Sequence, residues 1–374
     1  MKILYDNIIF INQNYGGVPR YFFELMTYYT QNKSLDFDFP ILYSENEYLK
    51  DTDIAPWVKR FKKSGLLKIG EIRKNLRKLN QFLVKQAICS KKHDVFHPTF
   101  YQDYYIDLID DKKLVITIHD MIQEIFSEDF KDDPTQGAKY KKMCAYRADA
   151  IIAVSENTKT DILKFYPDIN PDKIEVIYHG NPFDRFEESN KPLIDMPKRY
   201  ILYVGNRNLY KNFNFFIESI ADLLKQDESL NLFITGSAAI SSEEFKLFNY
   251  LGINKSIVYH RSTDNELLYL YQNAVCFVFP SLYEGFGFPI LEAFGASCPV
   301  IAGNISSLPE IGLNACEYFD PRNSKSILET VRKVVYDEEL KCSMIEKGLK
   351  RANDFSWEKT ALKTMSVYEK VITL

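Results

Sequence analysis

Val275-Cys276-Phe277-Val278-Phe279-Pro280-Ser281-Leu282-Tyr283-Glu284-Gly285-Phe286-Gly287-Phe288-Pro289-Ile290-Leu291-Glu292 passes from an apolar run, through a glycine-rich loop, into an apolar stretch with helical spacing. Val275 to Phe279 shows no polar–apolar alternation, which is the pattern of a strand covered on both faces of a parallel sheet. Residues 290–296 read as a helix with Pro289 at its first position, where the missing proline N–H costs nothing. Gly285 and Gly287 let backbone come close to a ligand. The free N–H groups and partial positive charge of a helix start suit a diphosphate. Glu292 lies three residues into that helix and can reach back to the same mouth. A carboxylate beside a phosphate would repel it, so its natural partner is a pair of hydroxyls such as a ribose diol. A glycine loop by itself would favour a plain strand–loop–helix connection. Two carboxylates eight positions apart around G-x-G-x-P point to a ligand instead.

The same alternation runs along the chain. Apolar runs at 2–11, 114–118, 150–154, 174–178, 200–204, 230–235, 257–259, 275–279 and 299–302 predict strands. Amphipathic stretches lie between them; in 212–225, Phe213, Phe216, Ile217, Ile220 and Leu224 share one side of a helix. The rhythm occurs twice, on either side of a polar segment containing Asn181-Pro182, Lys191-Pro192 and Met196-Pro197. The expected fold class is α/β, with two doubly wound Rossmann-like domains and a cleft between them. The expected divisions are residues 1–180, a linker at 181–197, residues 198–355, and a terminal segment at 356–374.

Composition sets outer limits. At 374 residues the chain suits two domains, and 46% hydrophobic with 26% charged residues is the balance of a soluble globular protein. The six cysteines are scattered, which argues against a disulfide framework or zinc site and favours a reducing cytoplasm. No apolar run reaches the roughly 18 residues of a membrane-spanning helix. The first residues, interrupted by Asp6 and Asn7, read as a buried strand and not as a signal peptide. A net charge of −4 excludes a nucleic-acid binder by charge. Locally the balance differs: twelve Lys or Arg fall between Pro56 and Lys92, opposed only by Glu71. Ile69, Ile72, Leu76, Leu79, Phe82 and Leu83 recur among them at helical spacing. They predict a basic amphipathic helix packed on the first domain. Its cationic face is either solvated or set against anionic lipid from Arg60 to Lys78, at about 1 kcal/mol per cation near the surface.

Glu-x7-Glu around an internal G-[FL]-G-x-P resembles the signature of retaining glycosyltransferase family 4, which has the GT-B fold. Gly205-Asn206-Arg207-Asn208-Leu209-Tyr210-Lys211-Asn212 is similar to the family's diphosphate-binding Arg/Lys loop. Ser306-Ser307-Leu308-Pro309-Glu310 matches a further loop, and Phe355-Ser356-Trp357-Glu358 the start of a last helix that in the family crosses back to the first domain. Tyr15-Gly16-Gly17, Thr117-Ile118-His119-Asp120 and the stretch from Ala148-Asp149 to Val154-Ser155 complete the set. By this match Glu292 holds ribose hydroxyls. Glu284 binds hydroxyls of the transferred sugar, with the backbone of Phe286 and Gly287, and Phe288, nearby. Lys211 neutralises the diphosphate leaving group, helped by Arg207. Arg207 departs from the family pattern, which places Arg directly after the glycine or directly before the lysine; this chain has Asn206 and Tyr210 there. Gly16 and Gly17 bring backbone to the diphosphate, and Tyr259, His260 and Arg261 form a base pocket. The resemblance implies a hexosyltransferase using a nucleotide-sugar donor, with retention, on a polysaccharide or lipid-linked acceptor at the inner membrane face. Phe96-His97-Pro98-Thr99 with Thr117 to Ile122 is most similar to bacterial mannosyl- and rhamnosyltransferases of O-antigen or capsule assembly. This makes GDP-mannose the expected donor ahead of UDP-sugars.

Glycosyl transfer develops negative charge on the departing diphosphate, and the site must stabilise it. Lys211, Arg207 and a helix start can do so without metal, so neither metal nor cofactor is expected. Asp36-Phe37-Asp38 and Asp51-Thr52-Asp53 match the acidic D-x-D of metal-dependent transferases only nominally, and read as solvated loop charge. His119 ends a strand, where ligands of open α/β sheets bind; the family likeness gives it contact with the donor sugar. The alternative is a buried histidine bonded to Asp120 or to backbone. Asp120 serves to orient His119, His97 lines the cleft, and Arg20 meets an acceptor phosphate or lies on the surface. Two other functions compete. A nicotinamide dehydrogenase also has two α/β domains, but no G-x-G-x-x-G follows the first strand. A non-catalytic nucleotide-sugar-binding protein would have no need of His119, Lys211, Glu284 and Glu292 together.

Overall fold

β1 (Lys2–Tyr5) is only four residues long, although the apolar run that predicts it extends to Ile11. Asp6 breaks it. The Asp6 carboxylate accepts hydrogen bonds from the backbone N–H groups of Ile8 and Thr99 and from the hydroxyls of Thr99 and Tyr104, turning the chain. Ile8–Asn12 then forms a short helix that buries Ile9 and Phe10. This corrects the expected long strand: four contiguous apolar residues fit either period, and the turn at Asp6 selects the helix.

The computed structural model describes all residues except 51, 59–69, 91, 134, 184–188, 208, 237 and 374. These form two compact units, Met1–Gly180 together with Trp357–Leu374, and Asn181–Ser356. In the first, β1 is joined by β2 (Asp36–Asp38), β3 (Val95–His97), β4 (Lys113–Ile118), β5 (Ala150–Ala153) and β6 (Ile174–Val176). All pair in parallel in the order β2-β1-β3-β4-β5-β6, so the winding reverses between β1 and β3. In the second, β7 (Arg199–Val204), β8 (Leu230–Thr235), β9 (Ile257–Tyr259), β10 (Cys276–Phe279), β11 (Val300–Gly303) and β12 (Cys316–Phe319) run in the order β12-β11-β10-β7-β8-β9, again parallel. Here the reversal falls between β7 and β10. Ligands of doubly wound sheets bind beyond the carboxyl ends of strands at such reversals. The chain has the two Rossmann-like sheets of a GT-B fold.

Burial holds each sheet. Phe213, Phe216, Ile217, Ile220 and Leu224 of the Phe213–Gln226 helix lie fully covered in one cluster with Ile201, Leu232 and Ile234. Each such side chain contributes about 1.5–3 kcal/mol relative to exposure. The last helix, Trp357–Thr373, belongs to the first unit. The Tyr29 hydroxyl donates to the Ala361 carbonyl at 3.1 Å, Thr360 donates to Tyr178 at 2.7 Å, and Tyr368 meets both Tyr5 (2.8 Å) and His97 (2.6 Å). Gly180 is required at the entry to this contact, because a Cβ there would lie 2.4 Å from the Trp357 backbone nitrogen.

Two further sequence expectations change. Asp36–Asp38 is an edge strand and not a loop; Lys2 pairs with Asp38 at 2.9 Å. Asp51 lies outside the described residues. The basic helix is Gly70–Cys89, and its apolar stripe is split. Asn80, Val84 and Ile88 are its buried face, whereas Leu79 and Phe82 are 41% and 55% exposed. At about 100° per residue, Phe82 falls almost opposite that face. Of the segment from Arg60 to Lys78, residues 60–69 lie outside the described residues. Among the described residues, no helix is long and apolar enough to cross a membrane.

Candidate functional site

The carboxyl ends of β7 and β10 carry the two loops that the sequence singles out. β7 leads through Gly205 and Arg207 to a single helical turn, Leu209–Lys211; β10 leads through Glu284 to the helix Phe288–Gly295. The Leu282 N–H donates to the Tyr210 carbonyl at 2.7 Å and fastens one loop to the other. As a result Lys211 and Glu284, 73 residues apart, meet: Lys211 Nζ donates to Glu284 Oε1 at 2.6 Å. Both are largely buried, and the ammonium also sits 5.4 Å from the Phe279 ring centre.

The Glu284 loop is held in shape from below. Its N–H donates to Ser306 Oγ (2.9 Å), and the Ser307 hydroxyl donates to the carbonyls of Glu284 (2.9 Å) and Phe286 (2.8 Å). Gly287 caps the helix at φ 115°, a left-handed conformation that strains any other residue. The helix starts at Phe288, so Pro289 takes its second position and not the first, and Glu292 lies in the following turn. Tyr271, buried on the Asp264–Asn273 helix, donates to Glu292 Oε2 at 3.0 Å. Sequence reasoning missed Tyr271, for no local motif marks it. Arg207 is placed differently from Lys211. Its side chain is 5% exposed and forms an ion pair with Glu244, with a second bond at 3.2 Å. It also donates to the carbonyls of Ala238 (3.0 Å) and Ala239 (2.7 Å). Its contacts therefore tie β7's loop to the start of the Ser242–Leu251 helix, which Glu244 caps with Ser241. Tyr259 and His260 are half-buried at the end of β9 and Arg261 is exposed; His260 Nε2 lies 3.2 Å from Glu266.

In the first unit, Gly16 caps the helix Gly17–Asn32, which carries Arg20 against Tyr48. His97 is fully buried, with Nδ1 on Tyr368 and Nε2 on Thr117 Oγ1 (2.9 Å), so both ring nitrogens are used inside the fold. Burial and nearby His119 hold it down at about 3, neutral at pH 7. His119 follows β4. Its ring meets Tyr21 edge-on (centres 5.3 Å apart) and stacks on His179 (5.9 Å, 23°). Its Nε2 is covered, with no hydrogen-bond partner among the described residues. Burial pushes its pKa down to about 4, against the Asp120 carboxylate and with the Lys141 cation. Asp120 itself accepts the Ile122 N–H at 3.1 Å, opening the turn Ile122–Ile125. His179 was not picked out by its local sequence, which offers no pairing signal with His119.

Similarity to known proteins agrees with this arrangement. Residues 15–185 match the family described as Glycosyltransferase Family 4, and residues 184–351 match Glycosyl transferases group 1. Each half of the chain thus matches a glycosyltransferase domain family. Serotype-specific mannosyltransferase WbdA of Escherichia coli is 29% identical to this chain over 264 residues, covering 67% of it. That match takes in only 32% of WbdA. O-antigen chain mannosyltransferase B of Escherichia coli is 25% identical over 299 residues, 76% of each chain. In fold, the chain superposes on Anabaena HepE, solved in complex with UDP and glucose, with a TM-score of 0.68 at 15% identity over 98% of this chain and 99% of that one.

Proposed function

We propose that the enzyme transfers mannose from GDP-mannose to a lipid-linked or polysaccharide acceptor, with retention of anomeric configuration and without a metal ion. The observation that carries the donor part is the meeting of Lys211 and Glu284 at the β7–β10 reversal, with Glu292 one helix turn beyond. A nucleoside diphosphate leaving group needs a cation, and Lys211 supplies one. The hydroxyls of the transferred sugar and of the ribose need acceptors, which Glu284 and Glu292 supply. Neutral His119 then offers a donor or an acceptor to the sugar without adding charge. Mannose and the O-antigen-type acceptor rest on the two mannosyltransferase relatives.

The acceptor's location follows the same reading. Lys74 and Lys78 are exposed on the Gly70–Cys89 helix, on the same side as outward-facing Phe82. This pattern suits the headgroup layer of an anionic membrane. A cytoplasmic enzyme resting on the inner face of that membrane would meet lipid-linked acceptors there.

Thermal-shift measurement against GDP-, UDP-, ADP- and dTDP-sugars tests the donor, since a ligand of the native state raises Tm. GDP-mannose is expected to give the largest shift, and Glu292→Ala to abolish it. No shift with any of the four overturns the donor site. Hydrolysis of the donor without acceptor separates an enzyme from a pure binder. Full activity in EDTA is expected, and loss restored by Mn²⁺ would defeat the metal-free reading.

A further inference from the structure

Behind His119 lies a buried charge cluster with no place in the donor site. Lys141, on the Gly137–Arg147 helix, has a side chain only 2% exposed, and its partner Glu124 is 8% exposed. Lys141 Nζ donates to Glu124 Oε2 at 2.8 Å and to the Asp120 backbone carbonyl at 3.0 Å, and lies 3.7 Å from Asp120 Oδ1. The other Glu124 oxygen accepts the Tyr166 hydroxyl at 2.6 Å. The ammonium also sits 5.8 Å from the ring centre of Tyr101. Tyr101 in turn bonds both sides of the His119 turn: its hydroxyl donates to the Thr117 carbonyl (3.0 Å) and accepts the His119 N–H (3.3 Å).

A buried ion pair is a poor device for stability alone, because desolvation offsets most of its attraction. A lysine that leaves water here must be matched by fixed acceptors, and one of the two that bond it is the backbone carbonyl of Asp120, the residue next to His119, whose carboxylate lies 3.7 Å away. We infer that Lys141 is a positioning residue for His119: anchored by Glu124 and Tyr166, it fixes the turn after β4 and so sets where the His119 ring stands and how it responds to protons. The inference rests on the reading of His119 as a donor-sugar contact, and deepens it. The groups that face His119 are Asp120 and Lys141 beside it, Tyr21 from the Gly17–Asn32 helix, Tyr101 from the loop after β3, His97 at the end of β3 and His179 after β6. Lys141 is the lysine among them, and its ammonium opposes protonation of the ring.

Lys141→Met alone would strand the Glu124 carboxylate and could unfold the protein, so the informative variant is Lys141→Met with Glu124→Gln, compared with Lys141→Arg. The chain has five histidines, so ring titrations by NMR are separable, with His119→Ala assigning the signal. In the double variant the His119 midpoint is expected to move up and kcat to fall roughly tenfold to a hundredfold, the scale of a misplaced contact group, with the donor KM little changed. Lys141→Arg should restore both. An unmoved midpoint and unchanged kcat, with only a lower Tm, would reduce Lys141 to a structural residue and overturn the inference. The His119→Ala arm tests the underlying assignment separately. Full activity in that variant would dismiss His119 as a donor contact, whatever the Lys141 titrations show.

Discussion

Lys211 and Glu284 are each other's counter-ion until something replaces both. With 2.6 Å between them and little solvent around them, neither is preorganised for a ligand in isolation. On the proposed reading, a diphosphate that draws Lys211 away would free Glu284 for sugar hydroxyls, so the two halves of a donor would assist each other. Glu284→Gln separates the halves. It should leave nucleoside diphosphate binding equal or tighter, as measured by calorimetry, while kcat with nucleotide sugar falls by about two orders of magnitude, the loss typical of one transition-state contact. Weakened binding of the bare diphosphate would count against this coupling. Histidine charge offers a second test at this scale. His97 is held at about 3 in the fold and titrates near 6.5 when unfolded. Between those values the unfolded chain binds more protons than the folded one, so stability is complete above pH 6.5 and falls as pH drops, by up to about 1.4 kcal/mol per pH unit. Denaturant midpoints for His97→Gln between pH 7 and 5 should therefore fall less steeply than for the wild type. Motif spacing marked Glu284 and Glu292 in the sequence and the family resemblance marked Lys211, because each lies in a local loop or helix start; the structure brings Lys211 and Glu284 together. Tyr271 and His179 were not legible. Each reaches its partner from a separate element, and no period or spacing encodes that distance.

At the scale of elements, the strands were easiest to read where both faces are buried, as in 200–204 and 230–235. They were hardest to read where a polar side chain cuts an apolar run. Asp6 ends β1 through hydrogen bonds to Thr99 and Tyr104, residues more than ninety positions away, so its effect could not be seen locally. The Gly70–Cys89 helix shows the same limit: helical spacing predicted a helix, but only packing decides that Val84 and Ile88 face inward and Phe82 outward. Two elements carry predictions. Gly287→Ala must place a Cβ 3.2 Å from Leu308 at φ 115°, a strain of about 1–3 kcal/mol. It should lower Tm and, on the proposed reading, weaken donor binding together, since the same residue caps the helix that carries Glu292. Arg207→Ala removes the partner of Glu244 at the start of the Ser242–Leu251 helix. It should lower stability in denaturant unfolding by about 1–3 kcal/mol, through loss of the bonds to Glu244 and to the Ala238 and Ala239 carbonyls. If stability instead held while diphosphate affinity collapsed, Arg207 would act on the ligand more than on the fold.

For the whole molecule, chain order and structural unit disagree at one place: the last helix belongs to the first unit. Trp357–Thr373 supplies Tyr368 to Tyr5 and His97, the Ala361 carbonyl to Tyr29, and Thr360 to Tyr178. It covers side chains that would otherwise expose hydroxyls and rings with no partner. The second unit, Asn181–Ser356, is continuous and contains its own six-stranded sheet, Lys211, Glu284, Glu292 and Tyr271. The two units should therefore separate asymmetrically. A fragment of residues 181–356 is expected to fold alone, unfold cooperatively, and keep most of the nucleoside diphosphate affinity. A fragment of residues 1–180 lacks the helix that buries Tyr5, Tyr29 and His97. It should show native-like far-ultraviolet circular dichroism but lose fixed tertiary signals, the behaviour of a sheet whose packing is incomplete. Adding a peptide of residues 357–373 in trans should restore those signals, because the interface it re-forms is side-chain specific. Tyr368→Phe in the peptide should weaken that rescue by about 1–3 kcal/mol, the cost of leaving a buried partner unsatisfied. A 1–180 fragment with full tertiary structure, or rescue indifferent to Tyr368, would show that the helix is an appendage and not part of the first unit's core.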